Sequence, residues 1–448
     1  MKMGELKSRS ELKNIRGLMI TLLKNIQNSE FVKNVFPLFL GSSAGQIILV
    51  LLTPIITRIY SPESYGALVL YLAVLSMLSI VANARYELAI MLPKDIGDAK
   101  SLLFLSVSIS LMLSMIIGVI LFAMFSFFFS DAELIFLYFL VPGMFLTGLF
   151  QVLTVWNNRL SKFRTIANAN IVQTGTTATA QILLGTFKAQ SFSLILGSLM
   201  GLLAGVLTYT KGNIFRVGRL VRTVDISQMT SNAHKYREFP YYSMFGALVI
   251  SVALQAPILL ISIFFDAEDV GQYGLASRIV LIPLVLLSTA IFQVMLKKVS
   301  VLAIDNFSEI RPYLINKFIL LTLIGLPALI VLHFWGETLF SNLFGQEWAV
   351  AGKFAEYLSW AAYFKFSINP LMAVFNLQGL VKMGAYWQTL YFCTLSLTLS
   401  TLWFYKSEVT VDFFIQIFVL HEIILSLICL CLVAYVTSPN KKLLNKGP

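Results

Sequence analysis

Twelve stretches of this chain are predominantly apolar over about 20 residues, the length an α-helix needs to cross a bilayer, and nothing else in the sequence limits the fold as strongly. They lie near 36–57, 66–84, 101–128, 134–155, 165–185, 191–210, 240–264, 275–296, 312–335, 354–376, 384–405 and 413–435. The runs are continuous rather than alternating, so each backbone satisfies its own hydrogen bonds as a helix instead of pairing into a barrel. With 58% hydrophobic and 12% charged residues, the chain is also far outside the usage of soluble domains. The expectation is an all-α polytopic membrane protein with twelve transmembrane helices.

The cations give that bundle a direction. A formal charge of +11 would suit nucleic acid, but 27 of the 33 Lys and Arg residues fall on the N-terminal tail, the C-terminal tail and every second loop. The opposite loops carry Arg58, Lys188, Lys353 and Lys406 among acidic residues such as Asp131, Asp266, Glu268 and Glu347. By the positive-inside rule both termini are cytoplasmic, and no nucleic-acid partner is expected. The first thirty or so residues are basic and polar and hold no cleavable signal, so the first span is expected to direct insertion. Cys393, Cys429 and Cys431 lie in apolar spans without metal-ligand or disulfide spacing, and neither a metal site nor a cofactor is expected.

A partial echo divides the chain in two. Phe36-Pro37 opens the first span and Glu63 and Gly66 stand in the turn after it; Phe239-Pro240 and Glu268 with Gly271 repeat the order two hundred residues later. This predicts an amphipathic cytoplasmic segment over 1–35, with Leu12, Ile15, Met19, Leu22 and Ile26 at helical spacing. A six-helix bundle follows over 36–210, then a basic cytoplasmic linker over 211–238, a second six-helix bundle over 239–436 and a cytoplasmic tail over 437–448. Six is even, so the two bundles run in the same sense and are related by an axis along the membrane normal.

Polar residues inside the spans are the candidates for function, because hydrocarbon tolerates them poorly. Lys365 stands near the middle of the tenth span, where a cation costs about 2.5–3.5 kcal/mol on insertion scales. It either serves a ligand or pairs with a carboxylate such as Glu356. Arg278 lies a few residues into the eighth span, within reach of a cavity or, by snorkelling, of the interface. In the fifth span Asn170, Gln173, Thr174, Thr177 and Gln181 share one helical face, which must meet either neighbouring helices or a water-filled cavity. Gln46 sits among small residues in the first span, and Gly197, Gly201 and Gly205 make a stripe in the sixth that reads as packing. Breaks or hinges are expected at prolines, Asn369-Pro370 among them. His234, His333 and His421 lack triad partners at a recognisable spacing, no loop is long enough for a catalytic domain and no phosphate-binding loop is present, so an enzyme is not expected.

The stretch Thr57-Arg58-Ile59-Tyr60-Ser61-Pro62-Glu63-Ser64-Tyr65-Gly66, the stretch from Arg85-Tyr86-Glu87-Leu88 to Pro93, and Gly271-Gln272-Tyr273-Gly274-Leu275-Ala276-Ser277-Arg278 with Pro283 resemble the Wzx-type polysaccharide and O-antigen flippases of the multidrug/oligosaccharidyl-lipid/polysaccharide transporter superfamily. The resemblance covers essentially the whole span region. It implies two pseudo-symmetric bundles around a central cavity that opens alternately to each side of the bacterial inner membrane. The implied substrate is an undecaprenyl-diphosphate-linked oligosaccharide, moved to the periplasmic leaflet for O-antigen, capsule or exopolysaccharide assembly, with a polysaccharide polymerase and chain-length proteins as partners. On that reading Arg278 and Lys365, with Arg58 as a weaker third, bind the diphosphate. Gln46, Asn170, Gln173, Thr177 and Gln181 contact sugar. Arg85 and Glu87 form a gating ion pair at the cytoplasmic end of the second span. Drive comes from a coupling ion, H+ or Na+, for which Glu87, Glu356, His421 and Glu422 are the ionisable candidates. Two alternatives stay open: an ion-coupled drug exporter of the same superfamily, and an integral-membrane glycan polymerase or ligase.

Overall fold

The computed structural model describes residues 30–128, 131–210, 226–405 and 408–438. Among them the chain is helical throughout, with no strand. The first half comprises α1 (Glu30–Ile59), α2 (Pro62–Ala82), the short α3 (Tyr86–Ala89), α4 (Ile96–Phe128), α5 (Asp131–Arg159), α6 (Phe163–Phe187) and α7 (Ser191–Thr210). After the linker helix α8 (Ile226–Lys235), the second half runs α9 (Phe245–Phe264), α10 (Ala267–Asp305), α11 (Ile310–Phe344), α12 (Ala349–Ile368), α13 (Val381–Phe404) and α14 (Val411–Val436).

Twelve of these helices have 20 residues or more and fall on the twelve expected runs. Eight of them, α2, α4, α5, α7, α9, α10, α11 and α14, are long and apolar enough to cross a membrane by length and composition. The other four are α1, whose Gly45–Ile59 part is apolar but short, and α6, α12 and α13. The last three owe their polarity to identifiable residues: the amide and hydroxyl stripe on α6, Lys353, Glu356 and Lys365 on α12, and the serines and threonines of α13. Each packs against the apolar helices of its own half, α6 on α7 and α1, α12 on α11 and α14, and α13 on α14.

The ends of the helices follow local chemistry. Ser61 caps α2 by accepting the Ser64 N–H at 3.3 Å, and Pro62 occupies the first helical position, where its missing N–H loses nothing. Thr410 caps α14 in the same way through the Phe413 N–H. The expected break at Asn369-Pro370 is present: α12 stops at Ile368 and a 3-10 run, Asn369–Asn376, carries the chain on toward α13. The prolines at 142, 257, 283 and 327 lie inside helices that continue past them. A π-helical turn over Phe239–Met244 opens α9. α10 has 39 residues, so at 1.5 Å per residue it extends about 58 Å and overshoots a hydrocarbon core of about 30 Å.

The largest core cluster joins the two halves at one end of the molecule. Ile56, Tyr60, Tyr65, Leu68 and Tyr71 from α1, α2 and the turn between them meet Tyr273, Leu275, Trp348, Phe354 and Phe414 there. A second cluster, built on Met295, Val299, Leu314, Phe375 and Cys429, belongs to the second half alone and lies toward the other end. The expected N-terminal amphipathic segment lies outside the described residues up to 29, as do residues 211–225 of the linker and the tail from 439. The described part of the linker, α8, docks on the first half: Gln228 and Asn232 donate to Asp98, Asn232 also reaches Ser101, and Tyr86 donates to the Ala233 carbonyl.

Candidate functional site

The two echoing turns come together in space. A Cβ on Gly66 would lie 1.8 Å from the Ala267 carbonyl oxygen, and one on Gly271 would lie 2.0 Å from the Pro62 carbonyl oxygen. Each glycine therefore lets its helix start cross the other backbone to backbone, and the related sequence positions make a pseudo-twofold joint between the halves. Around this crossing, the Arg278 guanidinium donates to the Tyr65 hydroxyl at 2.9 Å and the Trp348 indole N–H donates to the Thr57 carbonyl at 2.9 Å. Tyr65 and Trp348 stack edge to face at 5.4 Å, and Arg58 donates to the Asn342 carbonyl at 3.1 Å. Gln272 braces the start of α12, donating to the Glu347 carbonyl and accepting the Ala351 N–H. Two of the three stretches that carry the family resemblance, Thr57–Gly66 and Gly271–Arg278, thus meet at one end of the molecule.

Away from this joint, a cavity of about 1000 Å³ opens within the second half, between α9, α10, α12, the 3-10 run, α13 and α14. Its walls are mostly apolar, with Val249, Ile250, Leu284 and Phe292 among them; its polar lining includes Lys365, Asn369, Asn376, Gln388, Tyr391 and Glu422. On α10, Leu281, Val285 and Ser288 line it at three, seven and ten residues beyond Arg278, so Arg278 stands on the cavity-facing side of that helix, one turn closer to the joint.

Lys365 occupies the last turn of α12, where its charge complements the carbonyl end of the helix, just before the break. Its ammonium lies 2.7 Å from Glu422 Oε2 on α14. The Tyr391 hydroxyl donates to the other oxygen, Glu422 Oε1, at 2.6 Å. This corrects the expected partner: Glu356 instead accepts the Glu337 backbone N–H at 3.1 Å, within the α11–α12 contact. His421 meets Thr394 at 3.2 Å, with its ring tilted beside that of Tyr391. Tyr391 and Gln388 are site residues that sequence reasoning missed, and Glu422, named only as an ionisable candidate for the coupling ion, was not recognised as the partner of Lys365. The available signal was Glu422 itself, the one carboxylate deep within the twelfth apolar run and opposite in sign to Lys365.

The α6 stripe takes the packing alternative. Its residues sit on the glycine stripe of α7 in register: a Cβ at Gly197 would meet Gln181, one at Gly201 would meet Thr177 and one at Gly205 would touch Gln173. Gln181 is buried, donates to the Leu194 carbonyl at 2.9 Å and to Ser198 at 3.2 Å, and its own carbonyl accepts from Tyr60. As a sugar contact Gln181 is therefore corrected: its amide is satisfied between helices. The Thr174 side chain and the Asn170 backbone carbonyl approach α1 at Gly45, while Gln46 is exposed. None of these residues lines the cavity of the second half.

Arg85 and Glu87 lie at the opposite end from the joint, in the turn between α2 and α4. Ala84 and Arg85 both adopt left-handed backbone (φ 47° and 63°), which bends the chain sharply into α3. The pair is long, at 3.9 Å, and Glu87 is almost fully buried with Oε2 unpartnered. Burial raises the Glu87 pKa above the ordinary carboxylate value, against a lowering by a backbone hydrogen bond and by Arg85. Arg159 secures the rest of the turn by donating to the Ile90 and Pro93 carbonyls.

Known proteins share both the architecture and part of the sequence. A solved multidrug resistance MATE family transporter of the MOP superfamily, in an inward-facing conformation, superposes with a TM-score of 0.64 over 87% of this chain and 94% of that one, at 14% identity. Lipid II flippase MurJ, in an inward closed conformation, does so with a TM-score of 0.62 over 89% of this chain and 87% of that one, also at 14% identity. These two show the fold. The teichuronic acid biosynthesis protein TuaB of Bacillus subtilis (strain 168) is 26% identical over 151 residues, which are 34% of this chain and 31% of that protein, so the match spans about a third of the relative's length. A family model described as polysaccharide biosynthesis protein matches residues 55–353, from the α1 end of the joint to the first turns of α12, and the chain belongs to that family.

Proposed function

We propose that this protein is a flippase that carries undecaprenyl-diphosphate-linked oligosaccharide from the cytoplasmic to the periplasmic leaflet of the bacterial inner membrane by alternating access. The observation that carries the reading is an ammonium group, Lys365, on the wall of a roomy and largely apolar cavity at a break in α12. A diphosphate needs a fixed cation in surroundings of low dielectric, and a polyprenyl chain needs an apolar wall beside it. Arg278, one turn closer to the joint, is the second cation for that diphosphate. Asn369, Asn376 and Gln388 offer amides to the first sugars. With the termini in the cytoplasm, the Gly66–Gly271 joint is periplasmic and this conformation faces inward. Arg58, bound to the Asn342 carbonyl, acts in the joint rather than on substrate. A gradient of H+ or Na+ supplies the drive, and polymerase and chain-length proteins take over the product.

The test is made in the native host. The chain is deleted, lipids are extracted, and lipid-linked repeat units are quantified beside surface polysaccharide, then again with Lys365→Ala or Arg278→Ala restored at equal membrane levels. Accumulated repeat units with lost surface polymer support the flippase, and variants that copy the deletion place both cations on the path. Unchanged surface polymer, or repeat units that never form, would refute it in favour of drug export or glycan synthesis.

A further inference from the structure

We infer that Glu422 is the resident counter-ion of the anion site, so that a substrate diphosphate must compete with a carboxylate the protein supplies. The inference rests on the reading of Lys365 as the diphosphate-binding cation. Its geometry is asymmetric. The Glu422 side chain is 1% exposed while that of Lys365 is 27% exposed, although the two are only 2.7 Å apart. The carboxylate thus lies behind the ammonium, and the ammonium faces the cavity. Glu422 is also held in place: Tyr391 donates to Oε1, and the α14 backbone at Glu422 accepts from Ser426. A buried carboxylate fixed by a second donor does not swing away to leave a bare cation.

Two consequences follow for a carrier. In the unloaded state the site is a neutral pair, so the empty protein can change conformation without moving an uncompensated charge through apolar surroundings. In the loaded state a diphosphate approaches Lys365 from the cavity and shares it with Glu422. The attraction is weakened by the carboxylate's negative charge, which keeps the site loose enough to release what it binds. An unmasked lysine would hold a diphosphate more tightly and let it go more slowly, which favours occupancy over turnover. Glu422 is accordingly a positioning residue that sets affinity through Lys365. It does not itself bind the anion.

The test titrates farnesyl diphosphate onto the full chain in detergent micelles by calorimetry, with inorganic pyrophosphate as the parallel probe that carries the same head group without a lipid. Glu422→Gln keeps the shape and removes the charge, and should tighten farnesyl diphosphate by about tenfold, equivalent to about 1.4 kcal/mol. Glu422→Asp withdraws the carboxylate by one methylene yet keeps it buried and charged, and should tighten binding by a smaller factor. It decides the matter if the glutamine variant does not fold. Transport in cells should fall in both variants while binding rises, a split that a purely structural ion pair would not produce. Folded Glu422 variants that bind as the wild type does, or more weakly, overturn the counter-ion assignment. If wild type and Lys365→Met bind farnesyl diphosphate equally, the placement of the diphosphate fails instead. Tightening toward pyrophosphate alone would overturn the lipid-linked form of the site.

Discussion

Replacing Gly66 with alanine tests whether the joint is a switchable contact or part of the permanent core. The new Cβ would stand 1.8 Å from the Ala267 carbonyl oxygen and 3.0 Å from the Gly271 nitrogen, and both neighbours are backbone, so no side chain can rotate out of the way. An ordinary carbon–oxygen contact is about 3.3–3.6 Å, so the two helix starts must part by roughly 1.5 Å. That displacement stretches the Arg278–Tyr65 and Trp348–Thr57 hydrogen bonds, each 2.9 Å long, beyond bonding range and pulls apart the Tyr65–Trp348 stack. Hydrogen bonds of this kind contribute about 0.5–3 kcal/mol each and an aromatic pair about 0.5–1.5 kcal/mol, which puts the loss on the order of 3–5 kcal/mol. If the joint opens and closes during transport, that energy is removed from one conformation only. A shift of 3–5 kcal/mol then changes the ratio of the two states by more than about a hundredfold. Spin labels on Glu63→Cys and Glu268→Cys, both exposed beside the crossing, would report it once Cys393, Cys429 and Cys431 are replaced. The expected result is a longer inter-label distance in Gly66→Ala with the protein still folded. A thermal midpoint that collapses with no second distance population would show that the joint is static, and the alternating-access reading of this contact would be wrong.

Two further changes separate roles at other places. Gln181→Leu removes the buried amide that donates to the Leu194 carbonyl and to Ser198, so thermal unfolding should show a loss of about 1–3 kcal/mol, while flux per folded molecule stays unchanged; a specific loss of flux at wild-type stability would restore Gln181 as a sugar contact. Glu87→Gln should stabilise the protein more as pH rises from about 5 to about 8, because a buried acid with a raised folded-state pKa contributes stability at low pH that is lost as pH climbs through that value; parallel melting curves for variant and wild type across that range would rule this out.

Much of this architecture was legible in the sequence because lipid leaves the backbone few choices. Apolar length located the twelve long helices, Asn369-Pro370 located the break, and the echo of Glu63-x-x-Gly66 in Glu268-x-x-Gly271 located two positions that turn out to touch. What periodicity does not encode is the neighbour. The α6 stripe looked the same whether it faced water or the glycines of α7, and only the register of Gly197, Gly201 and Gly205 against Gln181, Thr177 and Gln173 decides it. Lys365 was visible as a costly charge, but its partner lies 57 positions away on a different helix, whereas Glu356 was nearby in sequence. A helix of about 3.6 residues per turn puts residue 356 on a face turned away from residue 365, since nine residues make two and a half turns. Spacing alone therefore argued against the nearer carboxylate.

The positions that carry the family resemblance and the positions that would meet substrate overlap only at Arg278. Thr57, Tyr65, Gly66, Gly271, Gln272 and Arg278 hold the halves together at one end, where an extra methyl group or a lost donor disturbs the contact itself. The cavity instead draws Asn369, Asn376, Gln388, Tyr391 and Glu422 from segments outside those motifs, and of these only Glu422 and Tyr391 are tied to Lys365. Cavity residues free of such ties can change without loosening the joint, so on the proposed reading a carrier of this plan could be refitted to another oligosaccharide while the joint stays the same. Arg278 belongs to both sets. Its guanidinium bonds Tyr65 across the joint, and its helix face continues directly into the cavity wall, so an anion that draws Arg278 toward the cavity also weakens the contact that keeps the joint closed. On the proposed reading, binding energy at one end would reach the other through this side chain, which is the differential interaction between two states that a ligand-driven conformational change requires.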